Sequence, residues 1–428
     1  MGFFYVRTMQ TKNIYFPSLE SVKAASKNLE GVAYKTPLSK NSNLSKQFDS
    51  SILFKREDLQ VVRSYKIRGA YNKMSSLSFD EKQRGIVCAS AGNHAQGVAL
   101  SCKLLKIKGT IFMPSPTPNQ KINQVKMFGE NFIEVVIEGD TFDDAFNAAK
   151  IECDFKNKTF IHPFNDEKVI EGQATVGLEI LEQTNKKIDY VFVAVGGGGL
   201  SSGLSSVFKE LSPETKIIGV EPEGAPSMLT SIKNKKNTAL VKIDSFVDGA
   251  AVKRVGDLNF AICQQNLHDM IAIPEGKICQ IILDLYNKDA IVVEPAGALS
   301  IAALDLFAEE IKGKNVVCIV SGSNNDITRT EEIKERALLY ANLKHYFIVK
   351  FPQRAGALKE FVAETLGPND DITHFEYTKK NNRTNGAAVV GLELKSSQDL
   401  DPLIKRMKAG NFFGDYLNDK PDLLQVLV

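Results

Sequence analysis

The chain has 428 residues, enough for two or three domains with well-buried cores, and its 43% apolar and 24% charged content is ordinary for a globular protein. With 53 basic against 51 acidic residues the net charge is only +2, which excludes a bulk attraction for nucleic acid or anionic membrane, and the strand-sized apolar runs exclude a membrane span. Six cysteines without a C-x-x-C pair or framework spacing suit reduced thiols in a cytoplasmic protein.

In chain order, the opening Met1-Gly2-Phe3-Phe4-Tyr5-Val6-Arg7 holds too short an apolar run for a secretory signal, and Met9 is an equally good start. A helix is expected over 18–29, then a turn at Thr36-Pro37-Leu38 and a short strand over 51–55. Next comes Ser64-Tyr65-Lys66-Ile67-Arg68-Gly69-Ala70, where Ser64 is expected to cap a helix over 69–74. The continuous apolar run over 85–89 predicts a buried parallel strand. It leads through the small-residue turn Ser90-Ala91-Gly92-Asn93-His94-Ala95-Gln96-Gly97 into a helix that runs to Leu105. Strands over 108–113 and 131–136 then alternate with helices over 119–128 and 141–154.

After Thr159-Phe160-Ile161-His162-Pro163 the pattern resumes with a helix over 169–182 and a strand over 190–195. Four glycines, Gly196 to Gly199, open a helix over 200–211, and a strand over 216–220 ends at Glu221-Pro222. A strand over 269–273, a helix over 275–287 and the run from Ala290 through Glu294-Pro295-Ala296-Gly297-Ala298 follow. The last core strand, 315–320, delivers Ser321-Gly322-Ser323-Asn324-Asn325. Such strand–helix alternation is the mark of an α/β fold, with parallel sheets covered by helices on both faces.

Residues 328–344 read as a charged linking helix. Beyond them, 346–350, 357–366, 372–377, 387–392 and 400–407 read strand, helix, strand, strand, helix, with an Asn-Gly signal closing the hairpin in 381–386. With a closing strand this is the ferredoxin-like, α+β order. We therefore expect one domain over 1–335, with a smaller subdomain over roughly 70–165 nested in it, a helical linker over 336–344 and a second domain over 345–428.

Four stretches carry chemistry. A lysine that forms an imine must be held in place, partly dehydrated and flanked by groups that tolerate a planar ring. Lys66, directly after Ser64 and Tyr65, has that setting, although taken alone it reads as one more surface lysine. The tetraglycine loop follows a buried strand and opens a helix, so its N–H groups can cradle an anion. It has neither the dinucleotide glycine spacing nor a Gly-Lys-Ser/Thr, which leaves a phosphate monoester as the natural ligand. In the turn over 90–97, Asn93 offers an amide to a ring substituent, while His94 alone reads as a helix-face histidine without chemistry. Ser321 stands where open α/β sheets place ligand-binding groups, and by itself reads as a turn serine. His162, His268, His345 and His374 are scattered, and none pairs with a His, Cys or acid at i+3 or i+4 in a convincing helix, so no metal site is expected.

In this order the four stretches resemble the fold-type II pyridoxal-phosphate enzymes, and among them the threonine ammonia-lyases (threonine dehydratases), over residues 52–326. The resemblance implies a catalytic domain of two parallel-sheet subdomains with pyridoxal 5'-phosphate held as an imine on Lys66. Gly196, Gly197, Gly198, Gly199 and Leu200 would bind its phosphate, Asn93 its ring hydroxyl and Ser321 its pyridine nitrogen, with Tyr65 beside the ring. Ser90, Ala91, Gly92, Asn93 and His94 would hold the substrate carboxylate. The implied reaction is β-elimination of L-threonine to 2-oxobutanoate and ammonia, with the freed Lys66 amine removing the Cα proton. Two departures from the related serine racemases narrow it. Ala91 stands where those enzymes carry a serine base, and Ser227 stands where an acid would complete a divalent site with Glu221 and Ala225, which leaves room only for a monovalent cation.

The tail resembles the ACT-like regulatory domain of the biosynthetic branch, with Phe351-Pro352-Gln353-Arg354-Ala355-Gly356-Ala357-Leu358 at its ligand loop and Ala355 in place of a proline. That resemblance implies an effector site including Arg354, Gly356 and Leu358, with isoleucine as effector and valine as a second candidate. It also implies a cytoplasmic homodimer or homotetramer acting in isoleucine biosynthesis. Two other readings stay open: a broader serine/threonine dehydratase and, in a different class, a non-catalytic amino-acid or nucleotide sensor.

Overall fold

The computed structural model describes residues 15–377 and 385–427. Residues 381–384 of the expected hairpin turn over 381–386 and both candidate starts lie outside the described residues, whereas its Asn385-Gly386 signal opens the strand Asn385–Glu393 instead of forming the turn. The chain divides into two compact units, Met1–Asp326 and Ile327–Val428. This division falls ahead of the expected limit at 335, because the charged helix Thr330–Tyr340 packs with the second unit through buried Ile333 and Ala337.

Among the described residues, ten strands build the first unit: β1 (Leu38–Lys40), β2 (Ser51–Arg56), β3 (Ile86–Ala89), β4 (Gly109–Met113), β5 (Ile133–Ile137), β6 (Thr159–Phe160), β7 (Tyr190–Ala194), β8 (Lys216–Pro222), β9 (Asp269–Ile273) and β10 (Asn315–Val320). The larger sheet has the order β1-β2-β10-β7-β8-β9 and is parallel apart from the antiparallel edge pair β1–β2. The smaller sheet, β5-β4-β3-β6, is wholly parallel. Strands β3 and β4 are buried at every residue, as unbroken apolar runs must be when helices cover both faces of a parallel sheet. Among the described residues no helix is long and apolar enough to cross a membrane.

The helix that carries Lys66 runs Lys66–Ser75, starting three residues earlier than the expected 69, and Ser64 does not cap it. Ser64 is instead drawn into an antiparallel bridge with Gly322, and the Tyr65 N–H donates to the Ser321 carbonyl at 3.2 Å. The chain thus enters the helix across the end of β10, and the buried Ser64 Oγ has no hydrogen-bond partner among the described residues.

This helix is fixed by a buried charge network. Arg68, 1% exposed, gives Nε and Nη2 to Glu57 at 2.8 Å each and Nη1 and Nη2 to Glu179 at 2.7 and 2.9 Å. Nη1 also reaches Thr175 Oγ1 at 3.0 Å, and Nη2 shares its donors with the Tyr34 carbonyl at 3.1 Å. Lys55, fully buried on β2, donates to Glu179 at 2.5 Å, to the Thr36 carbonyl at 2.7 Å and to Gln183 at 3.0 Å. Burial alone would raise the Glu57 carboxyl, but the Arg68 guanidinium outweighs it and holds the group below the usual carboxylate range. The network joins β2, the turn after it, the lysine helix and the helix Glu167–Gln183.

In the second unit, β11 (Lys344–Pro352), β12 (Asp371–Tyr377), β13 (Asn385–Glu393) and β14 (Phe413–Tyr416) form an antiparallel sheet in the order β12-β13-β11-β14. Phe347, Val349 and Phe351 alternate inward along β11 and meet Phe361, Leu403 and Met407 from the two covering helical segments. The order is the expected ferredoxin-like one, with an additional helix, Pro421–Leu427, after the closing strand.

Removing one member of a buried ion network leaves its partners uncompensated. Arg68→Met is expected to lower stability by about 3–5 kcal/mol, read as a fall in the denaturant midpoint; a midpoint equal to wild type would contradict the anchoring role.

Candidate active site

Open α/β sheets gather ligands at the carboxyl ends of their strands, and the predicted residues converge there from both sheets. Ser321 follows β10, is 3% exposed, and its carbonyl holds the Tyr65 N–H. Lys66 is the first residue of its helix and half-buried. Its Nζ donates to the Pro163 carbonyl at 3.2 Å and lies 5.3 Å from the centre of the Tyr65 ring. Burial pulls the amine down to about 8, only partly opposed by the carboxyl of Glu294.

The Pro163 carbonyl is aimed by His162. Its Nδ1 accepts the N–H groups of Phe164 at 3.2 Å and Asn165 at 2.9 Å, closing a tight turn around Pro163. Burial takes the His162 ring down to about 4, so it stays a neutral acceptor.

Beyond β7, Gly198 adopts φ +92° and precedes the helix Gly199–Leu211, which no side chain caps. The first N–H groups of a helix have no partner within it, and here no side chain caps them, the arrangement of an anion cradle. A Cβ at Gly197 would stand 2.2 Å from the Phe164 ring, and one at Gly198 2.8 Å from Asn259 Cβ. Side chains are therefore excluded from the cradle by the structure around it. The Leu200 side chain is buried in the core, so its backbone alone can face a ligand.

Asn93 is the first residue of the helix Asn93–Leu105, after the turn in which Ser90 Oγ accepts the Gly92 N–H at 3.2 Å. Its Nδ2 donates to Glu294 Oε1 at 2.7 Å, and its Oδ1 accepts from Asn324 Nδ2 at 2.6 Å. His94 turns the other way: its ring is 3% exposed, with Nε2 2.9 Å from the Ile161 carbonyl. Burial first, and the Lys66 charge second, push it down to about 3, so it is a neutral core group. Ala91 packs its methyl against the core of the smaller sheet.

The structure thus joins Tyr65, Lys66 and Ser321 on one side and Asn93 with Asn324 on the other. Arg354 and Gly356 lie in the second unit on the loop after β11, and Leu358 lies in the short helix Ala357–Glu360 that follows it. Gly356 there has φ +85°, Arg354 pairs with Glu360, and Leu358 is exposed. Glu221 gives both oxygens to the N–H groups of Met228 at 2.7 Å and Leu229 at 2.9 Å, and Ser227 turns its hydroxyl to the Val252 carbonyl. Among the described residues no group of three or more His, Cys, Asp or Glu is placed to hold a metal ion.

Two contributors escaped the sequence reading: the Pro163 carbonyl, and Glu294, 5% exposed at the mouth of the Pro295–Ala302 helix. Burial first, then the charge of Asp248, raises the Glu294 carboxyl to about 7. The set fits a flat, carbonyl-bearing ring with a phosphate. It offers an amine of lowered pKa, an aromatic neighbour, a neutral hydroxyl, an amide and an uncapped helix start.

Residues 29–322 match the model of the pyridoxal-phosphate dependent enzyme family, and residues 335–427 match that of the C-terminal regulatory domain of threonine dehydratase. The chain is 55% identical over 411 residues to the biosynthetic L-threonine dehydratase of Halalkalibacterium halodurans, covering 96% of this chain and 99% of that protein. It superimposes with a TM-score of 0.70 on the processed form of threonine deaminase isoform 2 from Solanum lycopersicum, at 39% identity over 76% of this chain and 96% of that one. Maize serine racemase superimposes with a TM-score of 0.70 at 29% identity, over 76% of this chain and 99% of its own.

An amine titrating near 8 reacts with acylating reagents far below the pH that surface lysines need. In the cofactor-free protein, acylation of Lys66 followed by peptide mass mapping is expected to rise with pH to a midpoint near 8; a midpoint with the bulk of the lysines would contradict the burial argument.

Proposed function

The chain belongs to the pyridoxal-phosphate-dependent enzymes, among the threonine dehydratases, and we propose that it converts L-threonine to 2-oxobutanoate and ammonia with Lys66 as its central group. The observation that carries the reading is the placement of that amine. It is held by the Pro163 carbonyl, with its pKa lowered to about 8, at the start of a helix laid across the end of β10.

Pyridoxal phosphate supplies the electron sink for the pair released when a proton leaves Cα. Lys66 would hold it and, as a free amine, would accept the proton that leaves Cα. A base whose pKa lies near the working pH is free often enough to act and basic enough to hold what it takes. The N–H groups of Gly196 to Gly199 and Leu200 bind the phosphate, where the helix dipole favours negative charge. Ser321 offers the ring nitrogen a hydroxyl, which hydrogen-bonds without supplying an acidic proton. Asn93, whose Nδ2 already donates to Glu294, would donate its other N–H to the ring oxygen, and Tyr65, beside the Lys66 amine, would flank the ring. The turn from Ser90 to His94 receives the substrate carboxylate through its backbone, the side chain of His94 being turned into the core. Ala91 supplies only a methyl group and no base for the opposite face of Cα, which favours elimination over inversion.

The C-terminal unit supports feedback control, with isoleucine as effector at the loop and short helix bearing Arg354, Gly356 and Leu358. Six free, buried cysteines suit action in a reducing cytoplasm.

The purified holoenzyme is expected to show the cofactor's absorption band and to release keto acid from threonine. Lys66→Ala is expected to lose roughly 10²–10⁴-fold in kcat; wild-type turnover in that variant would overturn the assignment. Millimolar isoleucine is expected to slow threonine turnover, and Arg354→Ala or Leu358→Ala to relieve the inhibition. Turnover that does not respond to isoleucine would remove it as effector.

A further inference from the structure

The buried carboxyl of Glu294 has no part in the roles above. It occupies the N-cap position of the helix Pro295–Ala302, where a polar side chain ordinarily turns back to cap the first turn, yet it makes no such bond. Its oxygens reach across the site instead. Oε1 accepts Asn93 Nδ2 at 2.7 Å, and Oε2 accepts the Asn324 N–H at 3.2 Å. Asn324 completes a triangle by donating Nδ2 to Asn93 Oδ1 at 2.6 Å and to the Val62 carbonyl at 2.9 Å. Room for the carboxyl comes from Gly322, where a Cβ would stand 2.5 Å from Glu294 Oε1.

The polarity of this triangle is directional. An asparagine amide can present either its oxygen or its NH₂ to a ligand, and the two ends are nearly equal in size. Glu294 Oε1 accepts and so selects the NH₂ end of Asn93, while the Asn324 NH₂ only donates and selects the oxygen end. One N–H of Asn93 Nδ2 is then committed to Glu294, and the second is left for a ligand oxygen. Asn93 stands beyond β3 of the smaller sheet, whereas Glu294 and Asn324 belong to the larger one, so the same bonds tie the two sheets together across the site.

We propose that Glu294 is a positioning residue of the threonine reaction: acting through Asn93, and with Asn324, it fixes which edge of the Asn93 amide meets the cofactor ring. The inference rests on the function proposed above.

The test uses the holoenzyme as wild type, Glu294→Ala, Glu294→Gln, Asn93→Ala and the Glu294→Ala/Asn93→Ala double variant. It reads the cofactor dissociation constant, the absorption maximum of the bound cofactor, and kcat and KM for threonine. Glu294→Ala is expected to weaken cofactor binding and lower kcat by about 10–100-fold, the range for a hydrogen bond to a charged group, with a moved absorption maximum. Adding Glu294→Ala to Asn93→Ala is expected to change little further, since residues acting through one another are not additive. Fully additive losses, or Glu294→Ala with wild-type affinity, spectrum and kcat, would overturn the role. If Glu294→Ala does not fold, Glu294→Gln carries the same reading, and a folded Glu294→Gln with unchanged spectrum and kcat overturns it. Wild type that makes no keto acid from threonine defeats the function itself, whereas active wild type with unaffected Glu294 variants defeats only the positioning role.

Discussion

Two cations stand two residues apart on one helix, Arg68 buried and Lys66 half-buried, and their different treatment organises the site. Residues i and i+2 point to nearly opposite sides of a helix, so Arg68 and Lys66 meet separate surroundings. Arg68 finds two carboxylates, Glu57 and Glu179, with Lys55 balancing the count at two charges of each sign. Burial would lower its pKa, but the carboxylates reverse that and keep it charged. Lys66 finds a carbonyl and an aromatic ring but no ion pair among the described residues, so its burial is only partly offset by Glu294 and its amine drops toward neutrality. The anchor is what permits the reactive group. A helix held by Arg68 can carry an amine at its first residue without relying on that amine for its own placement.

The rest of the site follows the same economy of charge. Ser321 is a hydroxyl, Asn93 and Asn324 are amides, and His94 and His162 are buried as neutral rings. The carboxyl that enters, Glu294, is raised to about 7 and is met by amide and backbone donors. A phosphate cradle made from backbone N–H groups adds attraction for an anion without adding a titratable side chain. Fixed charge near the reacting atoms is thereby kept low, and the one amine that must exchange protons is brought down to about 8.

What the sequence made legible was local. Continuous apolar runs such as Ile86-Val87-Cys88-Ala89 mark buried parallel strands because both of their faces are covered. The tetraglycine loop between strand and helix marks a cradle because glycine there is entropically costly without a ligand reason. What was not legible was decided at long range. Ser64 has the composition of a cap, but a bridge to Gly322 takes it away from the helix it precedes. His94 sits in the ligand turn by sequence, yet its ring belongs to the core because the Ile161 carbonyl lies behind it. Asn93 and Glu294 are 201 residues apart, and nothing in the Glu294-Pro295 dipeptide distinguishes a carboxylate that caps its own helix from one that reaches across two sheets. The second unit was read from strand alternation and turn chemistry, which survive without long-range information. Its charged leading helix was not assigned to it, since only tertiary packing decides which unit a linking helix joins.

The claim on which all of this turns is that one lysine, of the many in the chain, bears the cofactor. Borohydride reduction of the holoenzyme fixes the cofactor to whichever amine holds it, and mass mapping of the resulting peptides identifies that amine. The account predicts the added mass on the peptide containing Lys66 and on no other. Label on a different lysine, or none at all in protein that turns over threonine, would contradict it.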